Sequence, residues 1–296
     1  MYSVEPKDLT TPQTHRLLLG GVGPRPIALV STISPDGVRN LSPFSFFGAF
    51  GANPPIVAFS PALRGRDGSK KDTLNNLRAV PECVIHAVTH DIVHQVNLAS
   101  AEYPPDVDEF AACGLTPIPS EIVRPCRVAE SPFHMECQIR QIIPLGESGA
   151  SGNLIICEVV KLHVDERLFA GELISPDRMD PVARMGGDWY CRASGAAIFQ
   201  LPKPTESPLP MGYDKLPDWL RSSASYTPAD LARFALASGV PPDDDAISLI
   251  TRDRSACSAE PLMQSAKTAL ESGDRGAAWR FAIAAHLLES RDPRVM

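Results

Sequence analysis

Arg25-Pro-Ile-Ala-Leu-Val-Ser-Thr-Ile-Ser34 and, shortly after it, Asn40-Leu-Ser-Pro-Phe-Ser-Phe-Phe47 decide the fold of this chain. The first segment is an apolar run that fits a buried strand, and Ser34-Pro-Asp-Gly37 fits a tight connection out of it. The second segment alternates small hydroxyl residues with aromatic rings. Hydroxyls and exposed backbone N–H groups beside phenyl rings suit a ligand with a flat ring at one end and an anion at the other. Ser69-Lys-Lys-Asp-Thr73 then opens a helix. Asp or Thr there caps the orphan N–H groups, while the helix start and its lysines attract a phosphate.

Outward from that core, strand signals dominate residues 25 to about 165: 26–34, 38–42, 55–60, 82–88, 132–143 and 151–164, most of them rich in Val and Ile. Helices are expected from Lys71 to Arg78, from Thr89 through Leu98, and around Val107 to Cys113. Because these helices do not alternate regularly with strands, the pattern predicts a mainly β, antiparallel barrel with inserted helices rather than a βαβ sheet. Leu201-Pro-Lys-Pro-Thr-Glu-Ser-Pro-Leu-Pro210 marks a boundary, since so many prolines permit no regular element. The expected division is a barrel over 1–202, a linker over 203–214 and a helical C-terminal extension over 215–296. In that tail Thr227-Pro228 is an N-cap with proline at the first helical position, and Gly239 is the expected stop. Two further helices are expected over Glu260 to Ser272 and Arg275 to Ser290. Helices this short and few are not expected to build a large core of their own, which favours docking on the barrel or on a partner subunit.

Composition limits the function classes. The 296 residues are 44% hydrophobic and 21% charged, ordinary for a soluble globular protein. A net charge of −7 with no long basic run argues against a nucleic-acid partner. No apolar stretch is long enough for a bilayer, and Met1-Tyr-Ser-Val-Glu-Pro-Lys-Asp8 lacks a secretory pattern, so the expectation is a cytoplasmic protein with no membrane partner. Cys83, Cys113, Cys126, Cys137, Cys157, Cys191 and Cys257 form no C-x-x-C pair and read as small buried residues with reduced thiols.

Arg25-Pro-Ile-Ala-Leu-Val-Ser-Thr32, Asn40-Leu-Ser-Pro-Phe-Ser45, Asn53-Pro-Pro-Ile-Val57, Lys71-Asp-Thr73, Ala101-Glu-Tyr103 and Arg184-Met-Gly-Gly187 occur in one register. Together they resemble the flavin reductase-like family, whose domain is an FMN-binding split β-barrel of Greek-key type, and in particular its nitrilotriacetate monooxygenase reductase-component type. The likeness spans roughly residues 15 to 202 and leaves the helical tail outside. Gly48 departs from it, standing where many relatives carry a polar residue such as Asn.

For the phosphate of FMN, Lys71 supplies charge and Thr73 a directed donor, with Ser60 and either Arg64 or Arg66 nearby, Arg66 being chosen. Asp72 cannot bind phosphate through its carboxylate and is expected to cap the helix or position a lysine. The resemblance implies that Leu41, Ser42, Phe44 and Ser45, with Thr32 on the preceding strand, run past the isoalloxazine. Plain core packing accounts for at least two of Phe44, Phe46, Phe47 and Phe50. Arg184, Gly186 and Gly187 belong to a Gly-rich loop that either approaches the flavin or simply turns the chain before a last strand. His134 shares a strand face with Glu136 and is the candidate proton donor at the open flavin face, beside the alternative of a satisfied barrel histidine. His90 and His94 lie one helical turn apart but make too few ligands, so no metal is expected.

The implied activity is an NAD(P)H:flavin reductase working as a homodimer and passing reduced FMN, or FAD, to a monooxygenase component. One alternative keeps FMN bound and acts directly on a small organic substrate, with the tail covering the flavin. Another is a non-enzymatic electron carrier. No G-x-G-x-x-G after a strand, P-loop or G-x-S-x-G elbow competes with these readings.

Overall fold

The structure is a computed structural model that describes residues 1–201, 203–204, 208–252 and 258–295. It divides into two compact units, Met1–Phe199 and Gln200–Met296. Pro202 at the end of the expected barrel, residues 205–207 of the expected linker, and Cys257 lie outside the described residues.

The first unit opens with α1 (Thr11–Gly21) and the strands β1 (Arg25–Pro26), β2 (Ala28–Ile33), β3 (Arg39–Phe44), β4 (Phe47–Ala52) and β5 (Pro55–Phe59). Then come α2 (Asp72–Ala79), β6 (Glu82–Ala87), α3 (Val93–Leu98), α4 (Glu109–Cys113), β7 (Pro117–Ile118) and β8 (Arg127–Val128). The long pair β9 (Phe133–Pro144) and β10 (Asn153–Val164) follows, then β11 (Phe169–Ala170), β12 (Leu173–Ile174), α5 (Pro176–Met179), β13 (Val182–Arg184) and β14 (Tyr190–Arg192). Seven strands form one antiparallel sheet in the order β3-β2-β6-β9-β10-β5-β4. Its two edge strands are consecutive in the chain, with only Ser45 and Phe46 between them. Laid flat, six inter-strand steps would hold the edges about 29 Å apart. The three residue steps from Phe44 to Phe47 reach only about 10 Å. The sheet therefore rolls into a barrel that stays split along the seam between β3 and β4.

Both faces of β2 are covered, which is why Ile27-Ala-Leu-Val30 reads as an unbroken apolar run. Ala28 and Val30 join Phe59, Ile85, Cys137 and Ile155 in the barrel interior, where Leu74 and Leu77 of α2 also pack. Leu29 and Leu41 face the other way, into a second cluster with Ile92, Val96 and Phe110 around α3 and α4. Among the free thiols Cys83, Cys113, Cys137 and Cys157 are buried, and Cys126 and Cys191 partly so. Gly37 takes φ +89° in the turn leaving β2, a conformation that favours glycine, and its N–H donates to the Ser34 carbonyl at 3.0 Å.

Two elements depart from the sequence expectation. β4 is a strand of Phe, Gly and Ala without a β-branched residue, and Phe46 and Phe50 beside and within it are exposed while Phe44 packs inside. Helix α1 buries none of its residues, so it carries no apolar stripe to read; its signal is the Thr10–Gln13 capping box. Arg25 fixes that helix from below. Its buried guanidinium donates to the Leu19 and Val22 carbonyls at the end of α1 and to the Met185 carbonyl at 2.9 Å.

The second unit holds α6 (Asp218–Arg221), α7 (Pro228–Phe234), α8 (Asp244–Arg252), α9 (Ala259–Glu271) and α10 (Arg275–Glu289). Thr227 caps α7 as expected, in a capping box with Asp230. Against expectation, these helices share a core of their own built on Leu220, Phe234, Ile250, Leu270 and Trp279. Buried Ala278, Ala282, Ala284 and Ala285 let neighbouring helices approach α10 closely, so a few large side chains suffice to fill the space. Among the described residues no helix is long and apolar enough to cross a membrane.

Candidate functional site

A groove runs along the open edge of β3 in the first unit, in three stretches that share residues. At one pole a small cavity of about 30 Å³ is lined by Asn40, Ser42, Arg64, Lys71, Thr73 and Ser100, among others. Ser100 also lines the middle stretch, about 200 Å³, with Pro43, Phe44, Ser45, Arg184 and Tyr190. Asn97, Arg184 and Tyr190 continue into an end cavity of about 520 Å³ that adds His90, His94 and Arg192.

The pole is built by α2 and the loop before it. Lys71 is the N-cap residue of α2 and makes no side-chain cap. Burial, and then the neighbouring Arg64 guanidinium, hold the Lys71 ammonium below the usual lysine range. Its Nζ lies 5.6 Å from the centre of the Phe44 ring and has no ion-pair partner among the described residues. Arg64 Nη2 meets Asp72 at 3.4 Å, and its buried Nε faces Glu102 Oε1 at 3.5 Å, an ion-pair contact rather than a hydrogen bond. Beneath them a buried polar network fixes the walls. The Thr73 and Thr32 hydroxyls donate to Asn40 Oδ1 at 2.8 and 3.1 Å, and Asn76 Nδ2 donates to Thr32 Oγ1 at 3.1 Å. Asn40 Nδ2 donates in turn to Glu109 Oε1 at 2.7 Å.

The far side comes from the small sheet β1-β13-β14, in which Arg184 pairs with both Arg25 and Tyr190. Arg184 lays its guanidinium over the Tyr190 ring at 4.6 Å and donates to the Gly187 carbonyl at 2.9 Å. Gly187 needs its φ of +59° to return the chain, and Gly186 lies so close to Gly20 that a Cβ would come within 3.1 Å of it.

The groove thus gathers Ser42, Phe44, Ser45, Lys71, Asp72, Thr73 and Arg184 from the sequence expectation. It does not gather Leu41, whose side chain is core and whose N–H donates to Glu109 Oε2 at 3.2 Å. Thr32 sits behind the wall as a support for Asn40. Ser60 packs against Gly152 instead. Arg66 is exposed and pairs with Asp67 and Glu102, so Arg64 is the arginine at the pole. Gly186 and Gly187 shape the loop rather than the groove wall. Asn40 and Tyr190 lie in the segments that the sequence offered, whereas Asn97, Ser100 and Glu109 were not singled out. Polar residues one turn or one strand away from a motif carry no pattern of their own.

His134 lies elsewhere. It lines a separate cavity of about 310 Å³ with His163 and shares no groove residue. His86, His134 and His163 stand directly opposite one another on β6, β9 and β10. His86 is neutral: Val128 N–H donates to its Nε2 at 3.0 Å, leaving Nδ1–H for the Leu29 carbonyl at 2.8 Å, and burial holds it down to about 3. His134 Nε2 meets the Ser131 carbonyl at 2.6 Å, while its buried Nδ1 has no partner among the described residues. Near the end cavity His90, Asp91 and Asp180 converge, but both Asp180 oxygens are taken by Arg192 at 2.7 and 2.6 Å.

Residues 21–180 match the flavin reductase like domain. An uncharacterised protein of Halalkalibacterium halodurans is 37% identical over 69% of this chain and 97% of its own length. The fold superposes on nitrilotriacetate monooxygenase component B from Bacillus cereus with a TM-score of 0.64, at 34% identity, covering 68% of this chain and 98% of that one. It superposes on the 2-nitrobenzoate 2-nitroreductase NbaA of Pseudomonas fluorescens with a TM-score of 0.61, at 27% identity, covering 70% and 100%. The chain belongs to the flavin reductase-like family, and its first unit is a split barrel of that kind.

Proposed function

We propose that this protein is an NAD(P)H-dependent flavin reductase that takes FMN in the β3 groove, with the phosphate at Arg64, Lys71 and the backbone N–H groups that open α2 at Asp72 and Thr73, and the ring beside Pro43 to Ser45. The observation that carries this reading is the groove's polarity: an unpaired, partly buried ammonium at a narrow pole, and the open edge of a strand beside it. An anion at the pole offsets both the burial of Lys71 and its repulsion by Arg64. The small volume of the pole suits a single terminal phosphate, which favours FMN over FAD. Bound there, the flavin supplies the redox chemistry, accepting a hydride equivalent from a reduced nicotinamide. The protein's part is orientation: Asn40 and Thr73 define one end, and Arg184 stacked on Tyr190 defines the other, leaving the end cavity to the second substrate. Reduced flavin would pass to a monooxygenase partner, in line with the component B relative.

Lys71→Ala is the test. Losing one charge-assisted contact of about 1.5–3 kcal/mol weakens FMN binding roughly tenfold to a hundredfold. Riboflavin, which lacks the phosphate, should bind the variant nearly as it binds the parent. Equal losses for both ligands in a fluorescence titration would remove the phosphate from this pole.

A second reading has FMN retained and an organic substrate in the end cavity, which is larger than the rest of the groove and is bordered by Arg184, His90 and His94. The nitroreductase relative points the same way. Oxidation of NADH with free FMN alone supports the reductase; oxidation only after an organic acceptor is added supports this one. In either case we expect a homodimer, because α1 buries nothing and Phe50 stands 70% exposed on edge strand β4. Light scattering that gives the mass of a single chain would refute it.

A further inference from the structure

The small cavity at the pole of the groove is lined by more carboxylates than cations. Arg64 and Lys71 share the small cavity with Asp72, Glu102 and Glu109. Arg66, just outside the cavity, reaches Glu102 at 3.2 Å, so with all six groups ionised the pole is neutral (three cations against three carboxylates), and a phosphate dianion would take it to −2. Half-buried like charges repel strongly, so seating the dianion favours neutralising one carboxylate.

The three acids are not equivalent. Asp72 is held by Arg64, and Glu102 by both Arg64 and Arg66, at 3.4, 3.5 and 3.2 Å. Glu109 is 8% exposed and has only neutral donors, Asn40 Nδ2 at 2.7 Å and the Leu41 N–H at 3.2 Å. On its own helix Asp108 is tied to Arg39 at 2.8 Å, and Cys113 is a thiol pushed up to about 11 by burial and then by Glu109 itself. Burial raises the proton affinity of Glu109, and the nearby Asp72 charge adds to the effect, although its hydrogen bonds oppose it. Each Glu109 oxygen receives one neutral hydrogen bond, so a proton added to either leaves that network standing.

We propose that Glu109 is a proton-coupled positioning residue of the phosphate pole, taking a proton from solvent when the phosphate dianion is seated and, through Asn40, holding the Thr73 hydroxyl in place. The inference rests on the flavin reading of the groove. No bond other than the new O–H forms or breaks, and the proton comes from buffer.

Calorimetric titration with FMN at pH 8, in two buffers of different ionisation enthalpy, counts the protons taken up. Free FMN is then largely the dianion, since the second phosphate pKa lies near 6. The expected result is net uptake approaching one proton per FMN and none with riboflavin. Glu109→Gln, which is permanently neutral, should bind FMN without uptake and more tightly than the parent above pH 8, an outcome a purely structural role would not produce. Lys71 is the other group able to take a proton here. Lys71→Arg, which does not titrate, should keep the uptake. Absence of uptake in the parent, the same uptake in Glu109→Gln, or its loss in Lys71→Arg would each overturn the proposal. Failure of the parent to bind FMN at all would instead sink the flavin reading itself.

Discussion

Glu136→Ala is expected to destabilise the barrel by about 3–5 kcal/mol, the range for breaking a buried charged network. Glu136 is completely buried on β9, yet it carries the charge. Burial opposes ionisation, but the backbone N–H groups of Glu121, Ile122 and Val123, at 2.8, 2.6 and 3.0 Å, and His163 Nε2, at 2.7 Å, outweigh it and hold the carboxyl at about 2. Alanine leaves four donors without an acceptor. Water can reach the exposed Glu121 and Ile122, but Val123 is buried, so part of the loss is not recovered. The pH dependence follows from the direction of the shift. A folded value near 2 against an ordinary 4.5 means that this stabilisation is complete above pH 4.5 and is lost as pH falls toward 2. In urea melts the gap between the parent and the variant should therefore be only slightly smaller at pH 4 than at pH 7, and should close as pH falls toward 2. A destabilisation under 1 kcal/mol at pH 7 would show that the 121–123 loop is not held by this carboxylate.

Glu136 also marks where sequence reading reaches its limit. Its position on β9, facing the same way as His134, follows from strand alternation. The loop that delivers three N–H groups to it lies some fifteen residues upstream and has no pattern that announces the meeting. The barrel was legible because its strands are long, Val- and Ile-rich, and broken by Pro-Asp-Gly and Pro-Pro signals. β4 was not, because a strand of small residues on an open edge has little apolar contrast. The site followed the same rule. Lys71 and Thr73 could be placed from the helix start they occupy, whereas Arg64 and Arg66 were indistinguishable until the loop fold turned one inward and left the other exposed. Leu41 was drawn into the site by its neighbours in a motif, although alternation within β3 sends its side chain to the opposite side from Asn40 and Ser42.

Trp279→Ala is expected to unfold the 200–296 unit while leaving the barrel folded. Trp279 is the largest fully buried side chain described, 1% exposed, with its ring edge-on to Phe234 at 5.1 Å and its Nε1–H donating to the Phe234 carbonyl at 3.3 Å. Truncating such a side chain costs about 3–5 kcal/mol through lost burial and the cavity left behind. A unit of about a hundred residues has only about 5–15 kcal/mol in total. The α10 alanines that allow close packing also leave few large side chains to refill the gap, so collapse around the cavity recovers little. The measurement is a thermal scan by calorimetry, paired with FMN titration. The expected result is loss or a large downward shift of one transition, with the other transition and FMN affinity unchanged. That outcome follows if the core around Trp279 belongs to the tail alone, as the clustering of its buried residues indicates. If both transitions fall together, or FMN binding disappears with the tryptophan, the barrel depends on the helical unit for its own stability and the boundary at Phe199 does not separate two folding units.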